Sequence, residues 1–335
     1  MTSPKDLSTL VPCSATVYKF LYAQRHSILC SEHGSLVIER RFDGHKEDVK
    51  LLVADNTSDE GRLVVSYDAS QTAIVWDSAT GGDVMQFASF EEITAAAWVR
   101  DGKVAVGNTG GSITLVDPMT SDTIFSRTLE KETITALSSS ADSKTFAIGY
   151  ESGTVIVATL QPKFTVSHTL TTSTVPSPIS ALSWHISTRS AMLAVQARGG
   201  DLRVWNVPHT QGPDNHAAVI RTLNKAENSD VGPYWMAWSK NGCIVQYSGS
   251  ETLLWDVKAK QVTWVSVPTL EYVRGLAFYR PGAALFTLGP NHTVQQFDLG
   301  SPPTMVVNVE HAEGLLPPPS MADAGPVALD GDISE

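Results

Sequence analysis

The sequence predicts an all-β chain folded as a seven-bladed propeller of four-stranded antiparallel blades. A phrase made of a turn and then an alternating strand, ending in a large residue and a polar one, occurs seven times. Its spacings of 37 to 50 residues bracket the roughly 40–45 residues of a four-stranded blade. A second, apolar phrase precedes the later copies at a regular offset, and no segment shows sustained helical periodicity.

The strand-ending phrase is clearest as TAIVWD, residues 72–77. Its copies, numbered here as repeats 1 to 7, occupy residues 35–40, 72–77, 112–117, 154–159, 201–206, 251–256 and 293–298. Each alternates with a period of two between Gly, Asp, Asn or Ser turns, which is the pattern of a half-buried strand. Seven similar units in succession favour radial repetition over a sandwich.

The second phrase is an apolar strand that ends near an aromatic residue, as in ITAAAW at 93–98. The aromatics at this place are Trp98, Trp184, Trp238 and Phe278. Their fixed position in the repeat predicts that they fill the spaces between blades. The alternatives, a stacking platform for nucleic acid or an aromatic cage, do not explain that regularity.

Two more strands complete each unit. A strand between the two phrases is predicted at 103–107, 145–149, 192–196, 244–247 and 284–288. An outer strand is predicted at 83–88, 123–127, 164–168, 217–222, 261–267 and 304–309. These strands give each unit the four of a blade.

Repeat 1 is the weakest copy, and we expect its blade to be incomplete. Too few residues separate Arg40 from Gly44 for another strand. Either this blade has three strands, or a terminal segment supplies the missing one. Residues 304–309 already fit the outer strand of repeat 7, so the sequence leaves the ring closure open.

The pattern resembles the WD40-repeat family over residues 13–310. Repeat 2 carries the resemblance with Gly44-His45, then Ser66-Tyr67-Asp68, then Trp76-Asp77. The turn between Asp68 and Trp76 is about two residues longer than is usual in that family. Trp205-Asn206 and Trp255-Asp256 are further copies of the Trp-Asp ending, while the other repeats lack the Gly-His pair.

The resemblance implies that His45, Ser66, Asp68 and Trp76 form a hydrogen-bonded structural tetrad. His45, Ser66 and Asp68 are also the residue types of a hydrolase triad. A catalytic reading needs an exposed serine beside an oxyanion hole, and the sequence has no Gly-x-Ser-x-Gly motif. The structural reading is favoured, and no catalytic residue is predicted.

No cofactor or metal site is predicted. The nine histidines are scattered without zinc-ligand spacing. The Gly110-Gly111 and Gly199-Gly200 pairs lie between strands, where tight turns are their ordinary use, and no helix follows to form a phosphate cradle. We therefore expect no small-molecule substrate.

A partner is predicted to dock on the face where loops enter the innermost strands. Aligning those strands gives a ring of equivalent positions: Tyr18, Lys50, Thr94, Thr135, Ser180, Tyr234 and Arg274. Trp235 and Tyr272 flank the arc formed by Tyr234, Arg274 and Tyr18, and Tyr and Arg are enriched in interface hot spots. The competing interpretation is that these are ordinary surface residues.

Neighbouring blade entrances carry Glu91, Glu92, Glu130 and Glu132. They either attract a basic peptide or keep the surface soluble. The formal net charge of −11, from 24 basic and 35 acidic residues, argues against a phosphate-backbone binder. The expected partners are therefore proteins or peptides, basic segments among them, and not nucleic acid.

The chain is expected to be intracellular, in the cytoplasm, the nucleus or both. It has three cysteines without paired spacing, no signal-peptide pattern, and no apolar run long enough for a membrane helix. Residues 1–12 are expected to be flexible, 13–312 to form the propeller, and 313–335 to be a Pro-rich acidic disordered tail.

The leading hypothesis is a non-catalytic scaffold that docks partner proteins or peptides. One alternative is a substrate receptor of a cullin-type ubiquitin ligase. That role is associated in the WD40 family with Trp-Asp-x-Arg, and this chain has Lys258 in place of the arginine. A second alternative is a propeller enzyme of the quinoprotein or hydrolase type, which would need a catalytic cluster facing the channel.

Overall fold

The fold is an all-β propeller of four-stranded antiparallel blades. A computed structural model describes residues 10–12, 19–24, 27–32, 38–55, 62–143, 145–159, 163–171, 177–185, 187, 191–208, 216–223, 235–239, 241–248, 251–258, 262–273, 275–279, 284–289, 293–300 and 302–309. Within these residues the one helical segment is a short 3₁₀ turn at Arg100–Gly102. The described part of the chain contains no helix long and apolar enough to cross a membrane.

Repeats 2 to 7 form six successive blades, named blade 2 to blade 7 after their repeats. N-terminal to them lies a four-stranded sheet formed by β1 (Leu10–Pro12), β2 (Lys19–Gln24), β3 (Ser27–Glu32) and β4 (Ile38–Phe42). Blade 2 consists of β5 (Val49–Ala54), β6 (Leu63–Asp68), β7 (Thr72–Asp77) and β8 (Asp83–Ala88). Blade 3 consists of β9 (Ile93–Val99), β10 (Lys103–Asn108), β11 (Ser112–Asp117) and β12 (Asp122–Thr128).

Blade 4 consists of β13 (Ile134–Ser139), β14 (Thr145–Tyr150), β15 (Thr154–Thr159) and β16 (Thr165–Thr171). Blade 5 consists of β17 (Ile179–Trp184), β18 (Met192–Ala197), β19 (Leu202–Asn206) and β20 (Ala218–Leu223). Blade 6 consists of β21 (Trp235–Trp238), β22 (Cys243–Ser248), β23 (Glu251–Asp256) and β24 (Thr263–Val267). Blade 7 consists of β25 (Gly275–Tyr279), β26 (Ala284–Leu288), β27 (Val294–Asp298) and β28 (Thr304–Val309).

The strand assignment for repeat 1 was wrong by one strand. Its phrase at 35–40, predicted as a third strand, overlaps β4, the fourth strand of the N-terminal sheet. Of the two alternatives, the second agrees with the structure: the sheet has four strands, and a segment near the N-terminus, β1, supplies the additional one. Its first strand, Leu10–Pro12, lies within the segment expected to be flexible. A three-residue strand ending in proline is too short to show alternation, which is why the sequence did not reveal it. The expected tail at 313–335 lies outside the described residues.

The core lies between adjacent blades. Between blades 3 and 4, for example, Ala105, Ile113 and Leu115 pack with Phe146 and Ile148. The second strand of blade 4, β14, is buried at all six positions, as expected for a sheet covered on both faces. The hydrophobic effect thus acts mainly at the contacts between blades.

Tryptophans at the ends of the innermost strands link blades 3, 5 and 6 each to the blade before it. The indole N–H of Trp98 in blade 3 donates to the carbonyl of Val53 in blade 2 at 2.8 Å. Trp184 donates to Ser138 at 3.2 Å and Trp238 to Ser183 at 2.9 Å. All three rings are buried, so each adds apolar area and one directed bond to the space between blades. We call these bonds the tryptophan links.

One position of the second strands, where neighbouring blades meet, holds a glycine in two blades and a tyrosine in two others. In blades 3 and 4 it is Gly107 and Gly149, and a Cβ atom there would lie 2.6 Å from Ile134 Cγ2 or 2.7 Å from Ile179 Cγ2. In blades 2 and 6 it is Tyr67 and Tyr247. Tyr67 accepts the N–H of Ile93, and Tyr247 accepts the N–H of Val273, both at 3.1 Å. Glycine lets the isoleucine approach the neighbouring strand directly, whereas each tyrosine bonds through its hydroxyl to the backbone at the start of the next blade.

Candidate functional site

One face of the propeller carries both the loops that enter the innermost strands and the turns between second and third strands. Backbone hydrogen bonds join the two sets. The N–H of Ala69, Thr109, Glu151 and Arg198 donates to the carbonyl of Asp48, Glu92, Thr133 and Pro178, respectively, at 2.8–3.1 Å. We call this surface the entrance face.

Each described entrance of blades 2 to 5 contains a β-bulge. The register of the innermost strand shifts so that Lys50, Thr94, Thr135 and Ser180 have no residue opposite them. A bulge redirects the side chain of the extra residue. The predicted ring of equivalent positions is therefore, in these four blades, a ring of bulge residues.

The three hydroxyls of this ring bond to the backbone. Thr94 donates to the carbonyls of Gly107, at 3.2 Å, and of Ile134 in the next blade. Thr135 donates to Gly149 at 3.3 Å and Ser180 to Gln196 at 3.1 Å. These half-buried side chains hold the bulges in place. Lys50 is exposed and forms an ion pair with Glu92 at 3.2 Å.

Of the remaining residues of the predicted site, three lie outside the described part of the chain and two lie within it. Tyr18, Tyr234 and Arg274 lie outside the described residues. Trp235 and Tyr272 are brought together by the backbone of Val273. The N–H of Val273 donates to the Tyr247 hydroxyl at 3.1 Å, and its carbonyl accepts the indole N–H of Trp235 at 3.2 Å. Two aromatic side chains of blade 6 thus fix the peptide that follows Tyr272.

The loop before Val273 is fixed at further points. The Leu270 N–H donates to Gln295 Oε1 in blade 7 at 3.0 Å, and the hydroxyls of Thr252 and Thr269 lie 2.6 Å apart. At the end of this loop Tyr272 has φ +59°, a left-handed conformation that is strained for a bulky side chain. Its ring is 70% exposed.

The four residues of the implied tetrad form one hydrogen-bonded chain inside blade 2. Trp76 Nε1–H donates to Ser66 Oγ at 2.7 Å, and Ser66 Oγ lies 2.6 Å from His45 Nε2. His45 Nδ1 lies 3.0 Å from Asp68 Oδ2. With the proton on Nδ1, the imidazole donates to Asp68 and accepts from Ser66, so every group has a partner. All four side chains are buried.

The same carboxylate closes the turn between β6 and β7. Asp68 Oδ1 accepts the Ser70 N–H at 3.0 Å, the Ser70 hydroxyl at 2.7 Å and the Thr72 N–H at 3.0 Å. Burial raises the pKa of Asp68, but the bonds from Ser70, Thr72 and His45 outweigh it and the pKa is lowered. Burial lowers the pKa of His45 despite the opposing effect of Asp68, so the imidazole is neutral near pH 7.

Ser66, His45 and Asp68 have the donor and acceptor order of a hydrolytic triad, but the serine is inaccessible. Ser66 is 0% exposed, and its oxygen already accepts the tryptophan N–H. A nucleophilic serine must reach a substrate carbonyl. These hydrogen bonds connect the strands of blade 2 to its entrance, and they therefore stabilise the blade.

The other blades contain only parts of this hydrogen-bonded group of side chains. In blade 6, Gln246 takes the place of Ser66 and its Oε1 accepts the Trp255 N–H at 2.9 Å. In blade 5 the equivalent pair is Val195 and Trp205, and the indole N–H of Trp205 has no partner among the described residues. Blade 4 has Ile148 and Ala158 at these positions and packs without polar groups there.

The acidic entrances predicted from sequence lie together on blades 3 and 4. Glu91, Glu92, Glu130 and Glu132 are all exposed. A Cβ on Gly110 would clash with the Glu91 carboxylate, and one on Gly111 with the backbone of Glu130 and Glu132. The turn at 110–111 therefore lies directly against both entrances. Within the described ranges no cluster of three or more His, Cys, Asp or Glu side chains is placed to hold a metal ion.

No protein-family model and no curated protein matches the chain.

We call the contact between two neighbouring blades a seam. The sequence analysis did not identify four seam residues, Tyr67, Gly107, Gly149 and Tyr247, or the buried Tyr150. A signal was present, because the first four occupy one aligned position of the second strands. Glycine in two blades and tyrosine in two others at the same inward position indicates that the seams are packed in more than one way. Tyr150 could not be recognised, since it occupies the position held by Asp68 in blade 2 without resembling it.

Proposed function

We propose that this protein is a non-catalytic docking scaffold, a WD40-type propeller that presents its entrance face to partner proteins or peptides inside the cell. The observation that carries the proposal is Tyr272, an exposed aromatic held in a strained backbone conformation. Strain of this kind costs about 1–3 kcal/mol and occurs mostly at functional sites, where the surrounding structure enforces it.

The surroundings of Tyr272 support rigid presentation. The bonds to Tyr247, Trp235 and Gln295 fix the backbone on both sides of the exposed ring. A preorganised aromatic loses little conformational freedom when it binds, so more of the contact energy remains as affinity. Tyrosine is also enriched among the residues that dominate protein interfaces.

We further propose that the N-terminal sheet is the seventh blade and closes the ring. Its first strand, β1, contacts the innermost strands of both blade 7 and blade 2. This placement supports closure by a sheet whose four strands all come from the N-terminal part of the chain. A closed ring keeps the loops of the entrance face in fixed relative positions.

The enzymatic and ubiquitin-ligase alternatives receive less support. The burial of Ser66 supports a structural role for the one triad-like group. At the cullin-adaptor motif, Lys258 lacks the planar fork of arginine. The docking scaffold accounts for the exposed, strained tyrosine, which the enzymatic alternative does not need.

The test is affinity capture from native extract with three full-length baits, quantified by mass spectrometry. They are the natural chain, Tyr272→Asn and Met119→Ser. Asn tolerates the left-handed conformation, so Tyr272→Asn removes the ring and keeps the turn. Met119, 72% exposed, lies in the turn between β11 and β12 at the opposite end of its blade and provides the matched control.

We expect a stoichiometric partner that Met119→Ser retains and Tyr272→Asn reduces at least roughly tenfold, which corresponds to about 1.4 kcal/mol. Equal recovery by all three baits would contradict docking through Tyr272. Turnover of a small molecule by the purified chain without any partner would contradict the scaffold itself.

A further inference from the structure

We propose that the entrance of blade 4 binds the cationic side chain of a basic partner segment. The site consists of Glu130, Glu132, the Gly110–Gly111 turn and Tyr150, and we call it the acidic notch. This inference rests on the docking function proposed above, because it names the chemistry of a segment that would dock on the same face.

The backbone of Glu130 and Glu132, from which the two carboxylate side chains of the notch extend, is held in place by its neighbours. Gly111 has φ +79°, and an added Cβ would clash with the carbonyl oxygens of both Glu130 and Glu132. The Thr133 hydroxyl donates to the carbonyl of Thr109 at 3.3 Å, and the Glu151 N–H donates to the carbonyl of Thr133 at 3.0 Å. The segment from 130 to 133 is thus held between two turns, while its acidic side chains are exposed to solvent.

Tyr150 lies beneath this segment and supplies the independent sign of a ligand. It is the last residue of β14, it pairs with Ile134 of β13, and it is 0% exposed. Its hydroxyl has no hydrogen-bond partner among the described residues. A buried polar atom without a partner costs about 1–3 kcal/mol, so a bound group that reaches the hydroxyl would recover that energy.

In blade 2 the side chain at the equivalent position, Asp68, reaches the entrance residue His45 at 3.0 Å, and Tyr150 occupies the same position in blade 4. Burial raises its pKa, and the carboxylates of Glu130 and Glu132 raise it further. The hydroxyl therefore stays protonated at neutral pH. Its oxygen can accept a hydrogen bond from a donor that enters between the blade entrance and β14.

A guanidinium or ammonium group fits this arrangement. It brings positive charge and several N–H donors, which can bond to the two carboxylates and to the tyrosine oxygen together. Glu92 is already paired with Lys50 on the neighbouring entrance, and Lys131, exposed between the two glutamates, is the nearest competing cation in sequence. Arginine matches best, because its planar fork bonds to carboxylates in fixed geometry.

The experiment measures binding of the peptide acetyl-Gly-Gly-Arg-Gly-Gly-amide to the full-length chain. Amide resonances of Gly111 and Thr133 are followed by NMR, with the citrulline analogue as the uncharged probe. The variants are Glu130→Gln with Glu132→Gln, Tyr150→Phe, and Asp122→Asn with Asp117→Asn. The last pair removes the same charge from the opposite end of blade 3, roughly 20 Å away along strands of this length.

We expect the arginine peptide to shift both resonances, with affinity reduced roughly tenfold by the double glutamine variant and roughly threefold by Tyr150→Phe. The control pair should change affinity less than about twofold, because charges separated by more than about 10 Å near the surface are largely screened. Tyr150→Phe should leave the melting temperature unchanged or raise it, since the hydroxyl it removes has no partner.

Three results would overturn the inference. They are equal binding of the citrulline peptide, an equal loss of affinity in the Asp122 and Asp117 control, and full affinity in Tyr150→Phe. Each of them leaves the Tyr272 capture experiment unaffected. Conversely, loss of arginine binding in the double glutamine variant would stand even if Tyr272→Asn captured the same proteins as the natural chain.

Discussion

Blade 2 and blade 4 each have four strands in the same order, but different interactions stabilise them. Blade 2 contains a buried chain of polar side chains from Trp76 through Ser66 and His45 to Asp68. Blade 4 has apolar residues in place of the tryptophan and serine, and its seams on both sides close over glycine. One blade is stabilised by directed bonds within a sheet, and the other by close contact between sheets.

The difference shows that the repeat specifies a shape and does not specify the interactions that maintain it. Hydrogen bonds contribute modestly when made and cost more when one partner is lost. Close apolar packing responds instead to changes in volume. Substitutions in the two blades should therefore act through different physical causes.

The largest effect is expected for Asp68→Ala, which should lower the free energy of unfolding by about 3 kcal/mol. It leaves the His45 N–H and the turn donors of Ser70 and Thr72 without their acceptor. Urea unfolding measures the change. Asp298→Ala is the control, since exposed Asp298 accepts one N–H, from Gly300 at 3.1 Å. If the free energy of unfolding fell equally in the two variants, the buried group of hydrogen-bonded side chains would add nothing beyond closing a turn.

For blade 4 we expect Gly149→Ala to cost about 2 kcal/mol by overpacking. The new methyl group would lie 2.7 Å from Ile179 Cγ2 and 2.9 Å from Ile179 Cβ, so blades 4 and 5 must separate. Gly199→Ala is the matched control, because its nearest neighbour is Ser177 Oγ at 3.5 Å. A Gly149→Ala chain as stable as Gly199→Ala would refute the tight seam.

Acid should weaken blade 2 through His45. Because its pKa in the folded chain lies below the usual value of about 6.5, the unfolded chain takes up the proton first. The free energy of unfolding should therefore fall as the pH drops below about 6.5, and keep falling until the folded pKa is reached.

Comparing the natural chain with His45→Gln in urea titrations from pH 7.5 to 5.5 isolates this contribution. His185, whose pKa burial and then Lys258 also lower, titrates in both chains and cancels. The gap in stability between the two chains should narrow as the pH falls. A constant gap would mean that His45 does not titrate differently on folding.

The smallest effect distinguishes two tryptophans of the repeat endings. Trp255→Phe leaves the Gln246 amide without its donor, whereas Trp205→Phe removes an N–H that has no described partner. We expect Trp255→Phe to be more destabilising by about 1 kcal/mol, measured by thermal unfolding. The two substitutions remove the same atoms, so equal losses would show that the Gln246 bond is immaterial.

Much of this fold could be predicted because its signal repeats. The strand at 72–77 was placed correctly, and the outer strands at 83–88 and 304–309 have the predicted bounds. The N-terminal sheet was misread because Leu10–Pro12 is too short to show a period. At the entrances, the sequence identified the positions of Thr94, Thr135 and Ser180 but not their bonds to carbonyls, which depend on bulges that alternation does not reveal.

The tryptophan links all run in one direction along the chain. Trp98, Trp184 and Trp238 each donate to a carbonyl that precedes them by 45, 46 and 55 residues, respectively. Domains begin to form from the N-terminal side during synthesis. A ribosome releasing this chain would therefore deliver each of these three indoles after its acceptor, so that blades 3, 5 and 6 can each bond to a blade that has already been synthesised.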